Sequence, residues 1–163
     1  MTLKTRAVTV SALKDMDEVA RIMTNEKLFL ASMSDPEIEE FKEGTWKPDE
    51  TQEYVGLYLG GELIGVVRYR FITQIMIEWH WHLLPDYWGT GNTEEFCNLV
   101  EEYLRDNTGC LKILVQTPQS CKEVARSASR NGFDLEGILV SCVVWRGRID
   151  HMVLMSKFIK RDK

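Results

Sequence analysis

Several large protein classes are excluded by what this sequence lacks. No apolar run approaches the ~18 residues that a membrane-spanning helix needs, and the opening MTLKTRAVTV has no apolar centre of the kind a signal peptide carries. Basic charge is scarce: 20 Lys and Arg stand against 25 Asp and Glu, a net charge of −5. A general nucleic-acid partner is therefore not expected. The one basic cluster, Lys157–Lys163, is short and reads as a solvated tail. Cysteine is limited to Cys97, Cys110, Cys121 and Cys142, with no C-x-x-C pair. That spacing suits neither a zinc site nor a disulfide framework, and predicts reduced, mostly buried thiols in a cytoplasmic protein. Internal repeats, low-complexity tracts and linkers are also missing, so residues 1–163 are expected to form a single domain.

What remains is a dense succession of short elements. Ala7–Val10 is β-prone, and Ser11 opens a helical pattern with Met16, Val19, Ala20 and Met23 on one face. Ser34-Asp35-Pro36 starts a second helix over Asp35–Phe41. Val55–Leu59 and Leu63–Phe71 read as strands joined at Gly60-Gly61, and Gln74–Leu84 as a central strand, apolar on both parities. Thr93–Asn107 has a clean helical face of Phe96, Leu99, Val100, Tyr103 and Leu104. A strand at Leu111–Gln116 precedes a helix, Ser120–Arg130, with a capping box between Ser120 and Glu123, inward-facing Cys121, Val124, Ala125 and Ala128, and a stop at Gly132. Strands at Ile138–Val144 and Asp150–Ile159 finish the chain. The order β-α-α-β-β-β-α-β-α-β-β predicts an α/β (α+β mixed) fold with a central mixed, largely antiparallel sheet covered by helices.

The segment LLPDYWGTGNTEEF, Leu83–Phe96, lies between the central strand and the Thr93 helix. Glycines let a backbone approach a pyrophosphate closely, and the free N–H groups of a helix N-terminus donate to its oxygens. With this loop, the stretch Asn131-Gly132-Phe133-Asp134-Leu135-Glu136-Gly137 and the closing DHMVLM of Asp150–Met155, the chain from about Ala7 to Ile159 resembles the GNAT superfamily of acyl-CoA N-acyltransferases. It looks closest to the branch that acetylates amino termini, whose loop reads like Y-W-G-K-G-I-A-T-E-A. The resemblance implies acetyl-CoA as cofactor, held by Trp88, Gly89, Thr90, Gly91, Asn92 and Thr93. It also implies that Leu83 and Leu84 pair with the pantetheine arm, in a gap between two splayed strands.

The loop departs from the family pattern in several places. Thr93 stands where Gly or Ala is usual, so its side chain should crowd a phosphate or cap the helix. Asn92 replaces an apolar residue, Glu94 a threonine and Phe96 a small residue. Glu94 and Glu95 put two negative charges in the first turn, and no Lys or Arg lies in Leu83–Leu104. Cys121 and Val124 occupy the positions of the family's N-x-x-S, and Ala128 that of its acidic tyrosine, with Ser127 and Ser129 beside it. Glu78 matches a frequent glutamate and is the expected base if burial raises its pKa. His80 and His82 share its parity as alternatives.

Each of these has a structural reading too. Glu78, His80 and His82 also suit the polar face of a half-buried strand. His80 and His82 form a metal pair only with a third ligand such as His151 or Cys97. Trp79, Trp81 and Trp88 suit either a cofactor platform or a core, with Trp79 and Trp81 expected under the first helices. Three functions stay open. The first is acetyl transfer to a small-molecule or protein amine. The second is a catalytically inactive interaction protein with protein partners, in the manner of GNAT-like head-assembly proteins of tailed phages, for which DPEIEEFKE (Asp35–Glu43) and the aromatic strand are candidate contacts. The third is a cofactor sensor without chemistry.

Overall fold

The structure, a computed structural model, describes residues 6–159. Residues 160–163 of the basic cluster lie outside them. Lys157 itself is no tail residue: its Nζ bonds Glu101 Oε1 at 2.8 Å and the Asn131 carbonyl at 2.9 Å.

Strands β1 (Val8–Ala12), β2 (Glu53–Leu59), β3 (Glu62–Phe71), β4 (Met76–Leu83), β5 (Lys112–Pro118), β6 (Asp134–Trp145) and β7 (Arg148–Phe158) form one sheet in the order β1-β2-β3-β4-β5-β7-β6. Every pairing is antiparallel except β4–β5. Helices α1 (Met16–Met23), α2 (Glu26–Ser32) and α3 (Asp35–Glu43) precede β2, while α4 (Thr93–Asn107) and α5 (Lys122–Arg130) flank β5.

The helix expected from Ser11 begins instead at Met16, because the Asp15 carboxylate accepts the Asp17 and Glu18 amides and caps it there. Ser11 stays in β1, opposite Gly56. Helix α2 was not expected: Asn25 caps it through the Leu28 amide, and Leu28 and Phe29 are buried. A capping box between Ser34 and Glu37, not read from the sequence, starts α3, whereas the one read at Ser120 does not form. The Ser120 hydroxyl and amide both bond Asp150 Oδ2, Glu123 turns to Arg126, and Cys121 starts α5 without a side-chain cap. Of the expected inward face of α5 only Ala128 is buried, and Val124 is exposed.

One core lies between the sheet and α4–α5, with Val55, Leu57, Val67, Ile77 and Trp79 against Phe96, Val100, Leu104 and Phe133. A second joins α1–α3 to the other face through Val19, Ile22, Phe29 and Met33 against Tyr54, Leu63 and Val66. Trp79 and Trp81 therefore do not pack under the first helices. They meet edge to face at 5.2 Å, and Trp79 reaches Phe133 at 5.5 Å, on the α4–α5 side. Because both parities of β4 are apolar, the sequence does not say which face meets which helices.

The β6–β7 turn reaches back to the early helices. Arg146 (φ +52°) and Gly147 (φ +73°) form the turn, and their amides donate to the Asp35 carboxylate. The Arg146 guanidinium takes Asp35 Oδ1, the Met33 carbonyl and the Leu30 carbonyl within 2.9 Å. These bonds hold the Asp35 carboxyl below its ordinary pKa, the Gly147 amide contributing most. Arg146→Ala is expected to lower Tm by a few degrees. Arg146→Gly should lower it less, since glycine takes the left-handed backbone without strain. Urea titration of both, with Asp35→Ala in a double-mutant cycle, checks this; additive losses would mean that the contact is idle.

Candidate active site

The site is built at the end of β4. The parallel β4–β5 ladder stops at Glu78–Leu114, although β4 continues to Leu83 and β5 to Pro118. Trp79–Leu83 and Val115–Pro118 thus diverge and leave a gap between their edges. The Leu84 amide bonds the Ile64 carbonyl on β3 at 2.9 Å. Backbone groups alternate sides along a strand, so Leu83, Trp81 and Trp79 turn theirs toward the gap. Of the two residues expected to pair with a pantetheine arm, Leu83 faces the gap, and the N–H of Leu84 is already spent on β3.

Beyond Leu83 the chain makes a single 3-10 turn, Pro85–Tyr87. Gly89 (φ +69°) and Gly91 (φ +84°) then take left-handed backbone, and a Cβ on either would meet nothing within 4 Å. Thr90 Oγ donates to the Tyr87 carbonyl at 2.8 Å, and Asn92 Nδ2 to Thr90 Oγ at 3.2 Å. Helix α4 starts at Thr93 with no side-chain cap. Thr93 therefore does not cap the helix, contrary to one sequence expectation. Its first intrahelical amide is that of Phe96, to the Asn92 carbonyl at 3.0 Å, so the amides before it lack helical acceptors. The glycines leave open space in front of these donors, an arrangement that fits an anionic diphosphate. The acidic first turn, Glu94 and Glu95, opposes it. The loop itself carries no cation; Lys27 of α2 places Nζ 5.3 Å from the centre of the Trp88 ring.

On the α1–α3 face of the sheet lie Glu78, His80 and His82. Glu78 is 5% exposed. It accepts from Arg70 Nη2 at 3.0 Å and meets His80 Nε2 at 3.1 Å. The expectation that burial raises its pKa is overturned. The His80 hydrogen bond, with help from Arg70, outweighs desolvation and lowers it to about 2. A carboxylate ionised at neutral pH only accepts, so His80 Nε2 is the donor, and in the neutral ring Nδ1 carries the free lone pair. Arg70 was missed in the sequence, although the hairpin register that sets it opposite Glu78 can be counted from the turn between the strands.

His82 is 1% exposed, and neither ring nitrogen has a partner. Burial, then the charges of Arg68 and His80, push its pKa well below the ordinary value, so the ring is neutral. It cannot meet an acceptor molecule in this arrangement. Among the described residues no three His, Cys, Asp or Glu side chains could hold a metal. Cys97 lies in the α4 core, and His151 Nδ1 accepts the Ser141 amide at 2.8 Å. Ala128 is packed in the core, where the family's tyrosine would stand. No helix among the described residues is long and apolar enough to cross a membrane.

The sequence profile of the Acetyltransferase (GNAT) family matches residues 17–133. This covers more than half of the chain, which belongs to that family. No curated protein matches it in sequence. Among solved structures, spermidine N-acetyltransferase from Vibrio cholerae in complex with CoA and spermine is similar at TM-score 0.71 and 20% identity, covering 93% of this chain and 95% of that one. A dodecameric structure of the same Vibrio cholerae enzyme gives 0.69 and 21%, covering 93% of both. The microcin C7 self-immunity acetyltransferase MccE, in complex with acetyl-CoA and AMP, gives 0.68 and 18%, again covering 93% of both. At these identities the likeness is one of fold.

Proposed function

We propose that this protein transfers an acetyl group from acetyl-CoA to an amine. The observation that carries the reading is the β4–β5 gap, which leads to an uncapped helix N-terminus behind two left-handed glycines. Acetyl-CoA supplies an activated acyl thioester. The backbone amides of Gly89–Glu95 are the donors for its diphosphate, and the gap-facing groups of Trp79, Trp81 and Leu83 are the edge along which its arm is held. Thr90, Asn92 and Thr93 shape that loop. His80 Nδ1 takes the proton from the attacking amine, and Glu78 holds the ring in the tautomer that leaves Nδ1 free. With Ala128 in place of the tyrosine, the leaving thiolate is released to solvent. Spermidine and spermine are the first acceptors to try, since the Vibrio cholerae neighbour carries that name and ligand.

The deciding experiment is a calorimetric titration with acetyl-CoA at low salt. Micromolar binding is expected. Gly91→Asp keeps the left-handed backbone, which Asp tolerates better than most residues, and points a carboxylate into the open space. It is expected to abolish binding at millimolar cofactor and, because a side chain at φ +84° is strained, to lower Tm by a few degrees without unfolding the protein. Absence of heat with the unaltered protein would sink the reading and leave an interaction protein of GNAT shape, virion assembly included. Binding without turnover of any amine would leave a sensor.

A further inference from the structure

The mouth of the gap is blocked in this structure by a side chain that the proposed function does not use. The Trp88 indole Nε1 donates to the Leu83 carbonyl at 2.6 Å. That carbonyl ends the β4 edge facing the gap, where an extended arm would need an acceptor. The ring is 42% exposed, so burial does not explain its position. A second contact is the Lys27 ammonium, 5.3 Å from the ring centre. Lys27 is itself exposed, but it rides on a fixed element. Leu28 and Phe29 of α2 are buried, and the carbonyls of Leu30 and Met33 are gripped by Arg146. The loop Leu83–Phe96 carries Asp86, Glu94 and Glu95 and no basic residue of its own.

We propose that Trp88 is a lid on the β4 edge and that Lys27 is the charge that opens it. Without cofactor, the indole occupies the Leu83 carbonyl and Lys27 rests on the ring face. An entering diphosphate at the start of α4 is a far stronger partner for an ammonium than an exposed aromatic face. Lys27 leaves the ring for it, the indole loses its second contact, and the Leu83 carbonyl becomes free for the arm. Lys27 thus completes the diphosphate site, and loading of one end of the cofactor exposes the seat for the other. The inference rests on the acetyl-CoA reading.

The test is titration of the full chain with CoA, followed by heat and by tryptophan emission at two salt concentrations, for the unaltered protein, Lys27→Gln and Trp88→Phe. Both side chains are exposed, and thermal melts confirm that the variants fold. The unaltered protein is expected to bind with a change in emission. Lys27→Gln should bind roughly five- to tenfold more weakly, as loss of one charge-assisted contact implies, with a shallower salt dependence. Trp88→Phe should bind at least as tightly, and the emission change should vanish, which assigns it to this one of the five tryptophans. Unchanged affinity and salt slope in Lys27→Gln would overturn the inference alone. So would markedly weaker binding by Trp88→Phe, because the ring would then belong to the cradle. A silent titration of the unaltered protein overturns both this inference and the acetyl-CoA reading.

Discussion

His80→Gln is expected to lower kcat for acetyl transfer by roughly 10²–10⁴-fold, the usual contribution of a positioned base, and to leave the affinity for acetyl-CoA unchanged. The split follows from geometry. His80 lies on the α1–α3 face of β4, away from the α4 start that binds the diphosphate, and its side chain is 35% exposed, so an amine can reach it. Glu78→Gln should also slow transfer. An amide can donate to Nε2 as readily as accept from it, and the wrong tautomer then puts a proton on Nδ1. The two effects should not add, since Glu78 acts through His80. A ratio of kcat values near one for His80→Gln would remove this residue from the chemistry.

The same pair makes a prediction for pH. The folded pKa of Glu78 is lowered to about 2 from 4.5, so its stabilising contribution is fully present above the unfolded value and is lost as pH falls from there toward about 2. Denaturation of the unaltered protein and of Glu78→Gln should therefore differ most at neutral pH and converge near pH 2. In pH–rate profiles Glu78 adds no inflection at neutral pH.

Why some of this was legible in the sequence and some was not has physical causes. Helix α4 was readable to the residue, Thr93–Asn107, because an apolar stripe at helical spacing has one solution over four turns. The glycine loop was readable because only glycine sits without strain at the φ values of Gly89 and Gly91. Start points governed by side-chain competition were not: Ser120 had a better partner in Asp150, thirty residues away, and nothing local reveals it. The charge on Glu78 was misjudged for the same reason. Burial was foreseeable from strand parity, but the sign of the shift depended on Arg70 and His80 arriving together. Lys27 and Arg146 are the extreme cases. Both act on segments far from them in sequence, so their roles exist only once α2 is folded against the sheet.

Phe96→Ala is expected to cost about 3–5 kcal/mol of folding stability, typical for truncating a buried phenylalanine, out of a total of about 5–15 kcal/mol. Phe96 is fully buried in the core under α4, and its amide makes the first bond of the helix. It is therefore both a core residue and the pivot that sets where the uncapped amides point. A second consequence follows: the variant should also bind acetyl-CoA more weakly, because loosening the first turn lets the donors fray. Val100→Ala separates the two effects. Val100 is equally buried in the same cluster but lies one turn further along, so its truncation should lower stability and leave affinity intact. Ligand linkage gives an internal check, since cofactor at one hundred times Kd stabilises the folded state by about 2.7 kcal/mol. Thermal melts with and without acetyl-CoA should show that full gain for the unaltered protein and for Val100→Ala, and a smaller gain for Phe96→Ala at the same cofactor concentration. Equal gains in all three would mean that the first turn of α4 is held by the Gly89–Gly91 loop rather than by the core beneath it.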